Sequence, residues 1–93
     1  MATYQILYWK DIPSMVEVSD STETVKLQLS DRFQALIDAV AMELGLAGTD
    51  EYLDEWNHGD ELERDGTARE VAEAVVGELE SRFIDLRDRR LRG

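Results

Sequence analysis

The sequence predicts a single α+β domain, a three-stranded antiparallel meander followed by three helices packed on one face. Three observations carry that expectation. Apolar residues in the first third alternate with a period of two. From residue 31 onward they recur at helical three- and four-residue spacing. The links between the candidate strands are far shorter than the dozen or so residues of a parallel crossover, so neighbouring strands run antiparallel.

The first strand is 4–9, Tyr-Gln-Ile-Leu-Tyr-Trp, rich in aromatic and branched side chains. The second, 15–19, places Val16 and Val18 inward and Glu17 outward. The turn chemistry of Ser19-Asp20-Ser21-Thr22 follows. The third, 24–29, alternates Val25, Leu27 and Leu29 with Lys26 and Gln28. Ser30 then reads as a helix N-cap, with Asp31 favourable against the helix dipole. Phe33, Leu36, Ile37, Val40, Ala41 and Leu44 form the apolar stripe of the first helix, which Gly45 and Gly48 end. Thr49 caps a short helix carrying Tyr52, Leu53 and Trp56, stopped by Asn57-His58-Gly59. An acidic loop runs from Asp60 to Gly66. Thr67 and Glu70 then have capping-box spacing and open a last helix with Val71, Ala72, Val75, Val76, Leu79, Phe83 and Leu86 on one stripe.

The 93 residues suit one domain, 1–93, with 87–93 an arginine-rich tail. There is no cysteine, which removes disulfides, thiolate metal sites and a cysteine nucleophile. No apolar run approaches a membrane span, and the first residues lack the basic start of a signal peptide, so the expected location is the cytoplasm. Net charge is −11 and unevenly spread. Residues 1–80 hold 5 basic and 19 acidic groups, net −14, whereas residues 81–93 hold 5 basic and 2 acidic, net +3. Such a body repels phosphate backbones, so neither nucleic acid nor membrane is an expected partner. Only Lys10 and Lys26 are lysines. Acidity with arginine over lysine suits a salt-rich cytoplasm, and a GC-rich genome produces the same arginine bias. The arginine tail could touch RNA or an acidic membrane, and the favoured reading is the cationic end of the last helix against its own dipole.

Candidate chemistry is thin. Asp54, Glu55, His58, Asp60 and Glu61 offer oxygen and nitrogen ligands. A calcium-binding loop started at Asp54 puts Gly59 at the required sixth position, but Trp56 at the third and Asp65 at the twelfth, which removes an essential oxygen. The plain reading is a solvated loop. The alternative is a small metal-dependent protein or enzyme using His58, the only histidine, and nearby carboxylates. Gly45 and Gly48 follow a helix instead of opening one, so they do not cradle phosphate. No cofactor is expected. The aromatics Tyr8, Trp9 and Trp56 stand out, because the first strand is apolar on both faces and a meander leaves it at an edge. Either they form a partner surface with Lys10 and Asp11, or Trp9 folds inward beside Trp56.

Tyr8-Trp9-Lys10-Asp11-Ile12-Pro13 resembles the Tyr-Trp-(Arg/Lys)-Asp-Ile-Pro signature of the small bacterial and archaeal "virulence factor" family. Arg32-Phe33-Gln34, Ile37-Asp38, Ala41-Met42 and Gly48-x-Asp50-x-Tyr52-Leu53-x-x-Trp56 resemble its second block. The resemblance spans about residues 4–83. A similar domain is appended to HEAT-repeat proteins called conserved virulence factor. The resemblance implies no catalytic residue. With the bare chemistry it points to a non-enzymatic interaction or accessory module, bound to a protein partner through Tyr8, Trp9, Lys10, Asp11 and Trp56, with its oligomeric state open.

Overall fold

The structure, a computed structural model, describes residues 1–91; Arg92 and Gly93, the end of the expected tail, lie outside the described residues. The mixed architecture is as expected, but it holds five strands and four helices among those residues. In chain order they are β1 (Ala2–Trp9), β2 (Ile12–Ser19), β3 (Thr24–Gln28), α1 (Asp31–Glu43), α2 (Asp50–Asp54), β4 (Trp56–His58), β5 (Leu62–Arg64), α3 (Ala68–Ser81) and α4 (Phe83–Leu91).

The β1–β2–β3 meander forms with every pairing antiparallel. Its place in the sheet differs from the expectation. β1 is central, flanked by β2 on one side and by both β4 and β5 on the other. The segment read as the end of a helix and an acidic loop supplies those two extra strands. Each is three residues long, too short for alternation to show. Their pairing bonds both backbone edges of β1, and Trp9 at its end is covered by the α1 cluster and Tyr52.

Val16, Val18 and Val25 turn to α3 together with Ala2, and Ala68, Val71, Ala72 and Val75 meet them from the helix. A second buried cluster gathers Trp9, Ile12 and Leu29 around Phe33, Leu36, Ile37 and Val40 of α1, and Phe83 of α4. Val76 and Leu79 of α3 touch both clusters and join them into one core. The opposite face of the sheet carries Thr3, Gln5, Glu17, Lys26 and His58 in register across four strands.

Two caps behave differently from one another. The Thr67–Glu70 capping box forms in both directions, as its spacing requires. Ser30 occupies the N-cap of α1, but its side chain makes no capping bond. Instead its N–H (2.7 Å) and hydroxyl (2.8 Å) donate to Glu80 at the far end of α3. Arg32 also donates to that carboxylate (3.1 and 3.0 Å) and to the Glu80 carbonyl (2.8 Å). Burial works to raise the Glu80 pKa, but the Ser30 and Arg32 donors outweigh it and hold the carboxyl below its ordinary value.

The last helix is not continuous. It breaks at Arg82, four residues beyond Glu78 and well past Gly77, which meets open space. No proline or glycine causes the break. The turn lets Phe83 leave the α3 stripe and bury itself against Phe33, edge to face at 5.0 Å. The Arg32 guanidinium covers the same ring at 4.5 Å. Tertiary packing here overrides local helix propensity.

Candidate functional site: the groove at the signature turn

The β1–β2 hairpin turns through Lys10 and Asp11, with Trp9 paired to Ile12. Lys10 has φ +56°, a left-handed conformation that lysine adopts at a cost. Its surroundings hold it there. Lys10 N–H donates to the Glu55 carbonyl (3.0 Å), Asn57 Nδ2 donates to the Lys10 carbonyl (3.2 Å), and Lys10 Nζ lies 3.4 Å from Glu55 Oε2. Just before the turn the ladder slips by one residue. Leu7 pairs with Met15 but Tyr8 pairs with Pro13, leaving Ser14 bulged, with its carbonyl accepting from Leu29 N–H (3.0 Å). A bulge is where a strand tolerates proline and re-aims side chains.

The hairpin end therefore sorts its side chains. Trp9 and Ile12 are fully buried. The Trp9 indole N–H donates to the Tyr52 carbonyl (2.8 Å), and its ring packs on Tyr52 at 5.4 Å. Trp56 sits opposite Trp9 across the β1–β4 ladder and meets Tyr52 edge-on at 6.3 Å. This corrects the placing of Trp9 in a partner surface: it has no exposed area, because β1 is central and α2 closes over its indole. Trp56 covers the same cluster and stays half-buried.

Tyr8 and Asp11 go the other way, one half-buried and one exposed, while Pro13 stays buried beneath them. All three line a groove of ≈ 150 Å³ with Leu79 of α3, Arg82 at the helix break, and Leu86 and Arg89 of α4. That volume is below the roughly 300–1,000 Å³ of small-molecule pockets, so the groove suits a protruding side chain better than an enclosed cofactor. Burial pushes the Tyr8 phenol above its ordinary pKa, the Tyr4 phenol adds to this, and Arg82 opposes it. Tyr8 thus stays a neutral hydroxyl near pH 7, able to donate and accept. The groove offers a phenol, an exposed carboxylate, two guanidinium groups and an apolar floor.

Sequence reasoning found Tyr8 and Asp11 but missed Leu79, Arg82, Leu86 and Arg89. The arginines read as a helix terminus, and only the break at Arg82 turns them toward the hairpin. Gly59 also serves the groove. Its N–H donates to the Ile6 carbonyl (2.9 Å), and a Cβ there would lie 2.8 Å from Tyr8 Cε2. Gly59→Ala is expected to cost about 1–3 kcal/mol by overpacking. Most of that cost should vanish in a Tyr8→Ala background, measured as a double-mutant cycle by urea unfolding.

The carboxylates around His58 do not assemble. His58 lies on the open sheet face, 52% exposed, with Nε2 at 4.0 Å from Glu17 Oε1. Glu55 pairs with Lys10, and Glu61 lines a shallow groove with Gln5 and Glu17. The stretch imagined as a calcium loop is occupied by β4 and β5. Among the described residues no group of three or more His, Cys, Asp or Glu side chains is placed to hold a metal ion. Among the described residues no helix is long and apolar enough to cross a membrane.

Compared with known proteins, the chain has no significant match among curated proteins or among solved structures. It does match one family, described as Virulence factor, over residues 7–91. The match begins one residue before Tyr8 and runs through α4, so it takes in both walls of the groove and extends beyond the span of the two motif blocks. The chain belongs to the Virulence factor family.

Proposed function

We propose that this domain is a non-enzymatic protein-interaction or accessory module, and that the signature-turn groove is its contact surface. One observation carries the reading. The turn divides its residues between an anchor, Trp9, Ile12 and Pro13, and a display, Tyr8 and Asp11, on a groove closed by Arg82 and Arg89. The left-handed Lys10 of this tight hairpin turn is held by three separate contacts, which fixes the turn that presents Tyr8 and Asp11. Tyrosine and arginine are also the residues that most often dominate binding energy at protein interfaces.

Affinity purification from native lysate, at native salt, tests this reading. The wild-type domain should retain a partner that Asp11→Arg and Arg82→Glu each lose. Lys26→Glu, on the open sheet face, should leave retention unchanged. Loss with Lys26→Glu and not with the groove variants would move the surface elsewhere.

The second reading, a metal-dependent protein using His58, is tested separately. Calorimetric titration with calcium, magnesium, manganese and zinc is expected to give no binding heat and no shift in melting temperature. A stoichiometric heat lost in His58→Ala would revive it.

A further inference from the structure

The fold leaves a set of donors unspent at the signature-turn groove. Carboxylates outnumber cations on this chain, 21 to 10. Lys10, Arg32, Arg64 and Arg87 each pair with one, respectively Glu55, Glu80, Glu78 and Asp88. Arg82 and Arg89 do not. Both are exposed, and among the described residues neither guanidinium makes an ion pair. The acids close to them in sequence do not answer them. Glu78 feels the charge of Arg82 but is bonded to Arg64 at 2.7 Å. Asp88 is bonded to Arg87, and Asp85, one turn before Arg89, makes no ion pair with it. Lys26 and Arg69 are also unpaired, but they lie apart, on β3 and in the first turn of α3. Only Arg82 and Arg89 come together as unpaired cations, in one groove. Beside them the Tyr8 hydroxyl makes no hydrogen bond among the described residues.

The order of the side chains selects the occupant. Leu86 N–H donates to the Arg82 carbonyl (3.1 Å), so Arg82 belongs to the first turn of α4. Arg82, Leu86 and Arg89 then follow at four- and three-residue spacing along one face of that helix. The face reads cation, apolar, cation over roughly 10 Å. Leu79 and Pro13 extend the apolar floor. The complement of that face is an apolar side chain between two carboxylates. Asp11, on the hairpin wall, repels those carboxylates and keeps them on the helix wall, which orients the segment that carries them. A nucleic acid would bring a run of phosphates past the acidic body and nothing apolar for the floor.

We infer that the groove binds an acidic segment of a partner protein, with one apolar side chain seated on Leu79 and Leu86 between two Asp or Glu side chains that meet Arg82 and Arg89. The inference rests on the reading of this groove as the contact surface, and it names the chemistry of what is contacted.

The test selects phage-displayed random peptides on the full chain and titrates synthetic copies of the enriched ones. Enriched peptides should carry an apolar residue between two acidic ones and should slow amide exchange at 8–13 and 79–89. Arg82→Gln and Arg89→Gln should each weaken them about two- to fivefold, as loss of an exposed ion pair does. That difference should shrink at high salt. Arg89→Glu should bind one of the two peptides with a single acidic residue replaced by lysine more tightly than wild type does, a gain that loss of fold does not produce. Peptides without the acidic pair that still protect 8–13 and 79–89 would overturn the inference and leave the groove as the contact surface. Acidic peptides that protect other residues would overturn it together with the reading of the groove. No enrichment, or a charge swap that restores nothing, also overturns it.

Discussion

Trp9→Ala is expected to unfold the domain or bring it close to unfolding, with the loss of any partner following from that. The side chain is fully buried against α1 and α2, and its N–H donates to the Tyr52 carbonyl. Truncating a buried tryptophan costs about 3–5 kcal/mol through lost transfer energy and a cavity. A domain of this size has only about 5–15 kcal/mol in total. For a 93-residue chain the melting temperature should fall by at least ~12 °C. Trp9→Phe separates the two parts of the effect. It keeps most of the packing but leaves the Tyr52 carbonyl without its donor, at about 1–3 kcal/mol. Thermal melts followed by circular dichroism measure both. A Trp9→Ala domain that melts like wild type would place the indole at the surface after all.

The second large effect is on acid stability and rests on Asp20. Its Oδ1 accepts from Thr22 N–H (2.7 Å), the Thr22 hydroxyl (2.8 Å) and Glu23 N–H (2.9 Å). Its Oδ2 accepts from Ala68 N–H (2.7 Å), at the first turn of α3. One carboxylate thus shapes the β2–β3 turn and ties it to a helix start 48 residues away. Ala68 N–H is the main cause that holds the Asp20 pKa far below the ordinary carboxylate range, followed by Thr22 and Glu23. A depressed folded-state pKa contributes stability that is fully present above the unfolded value, about 3.9. That stability is lost as pH falls below it toward the folded value. Asp20→Ala should therefore lower the melting temperature most near neutral pH, and the gap to wild type should close progressively below about pH 4. Asp20→Asn keeps the acceptor toward Thr22 and Glu23 but faces an amide toward Ala68, so it should fall between the two. A gap that stays constant from pH 7 to pH 3 would show that the charge on Asp20 is irrelevant.

How much of this was legible depends on the length of each pattern. The meander and α1 show in sequence because each repeats its period over several residues, and the Thr67 capping box shows because its Thr-x-x-Glu spacing is specific. β4 and β5 do not, since three residues of Trp-Asn-His or Leu-Glu-Arg carry no period and their strand state comes from pairing with β1. That omission had one consequence for the site. With β4 and β5 missing, β1 became an edge strand and Trp9 a candidate for exposure. The break at Arg82 was hidden for a different reason. The apolar stripe runs unbroken from Val71 through Leu86, and only the attraction of Phe83 to Phe33 and Arg32 turns the chain. Three of the seven groove residues, Tyr8, Asp11 and Pro13, lie in the signature itself. The other four are Leu79 and Leu86 of the apolar stripe and Arg82 and Arg89, whose charge is visible in sequence and whose position is not.

On the proposed reading the signature turn holds its tryptophan inside and presents Tyr8 and Asp11 to the partner. Amide hydrogen exchange of the domain, alone and bound to the partner retained from lysate, tests it most directly. Binding should slow exchange at 8–13 and 79–89, with Thr24–Gln28 and Trp56–His58 unchanged. Slowing confined to those strands, with residues 8–13 exchanging as in the free domain, would contradict it.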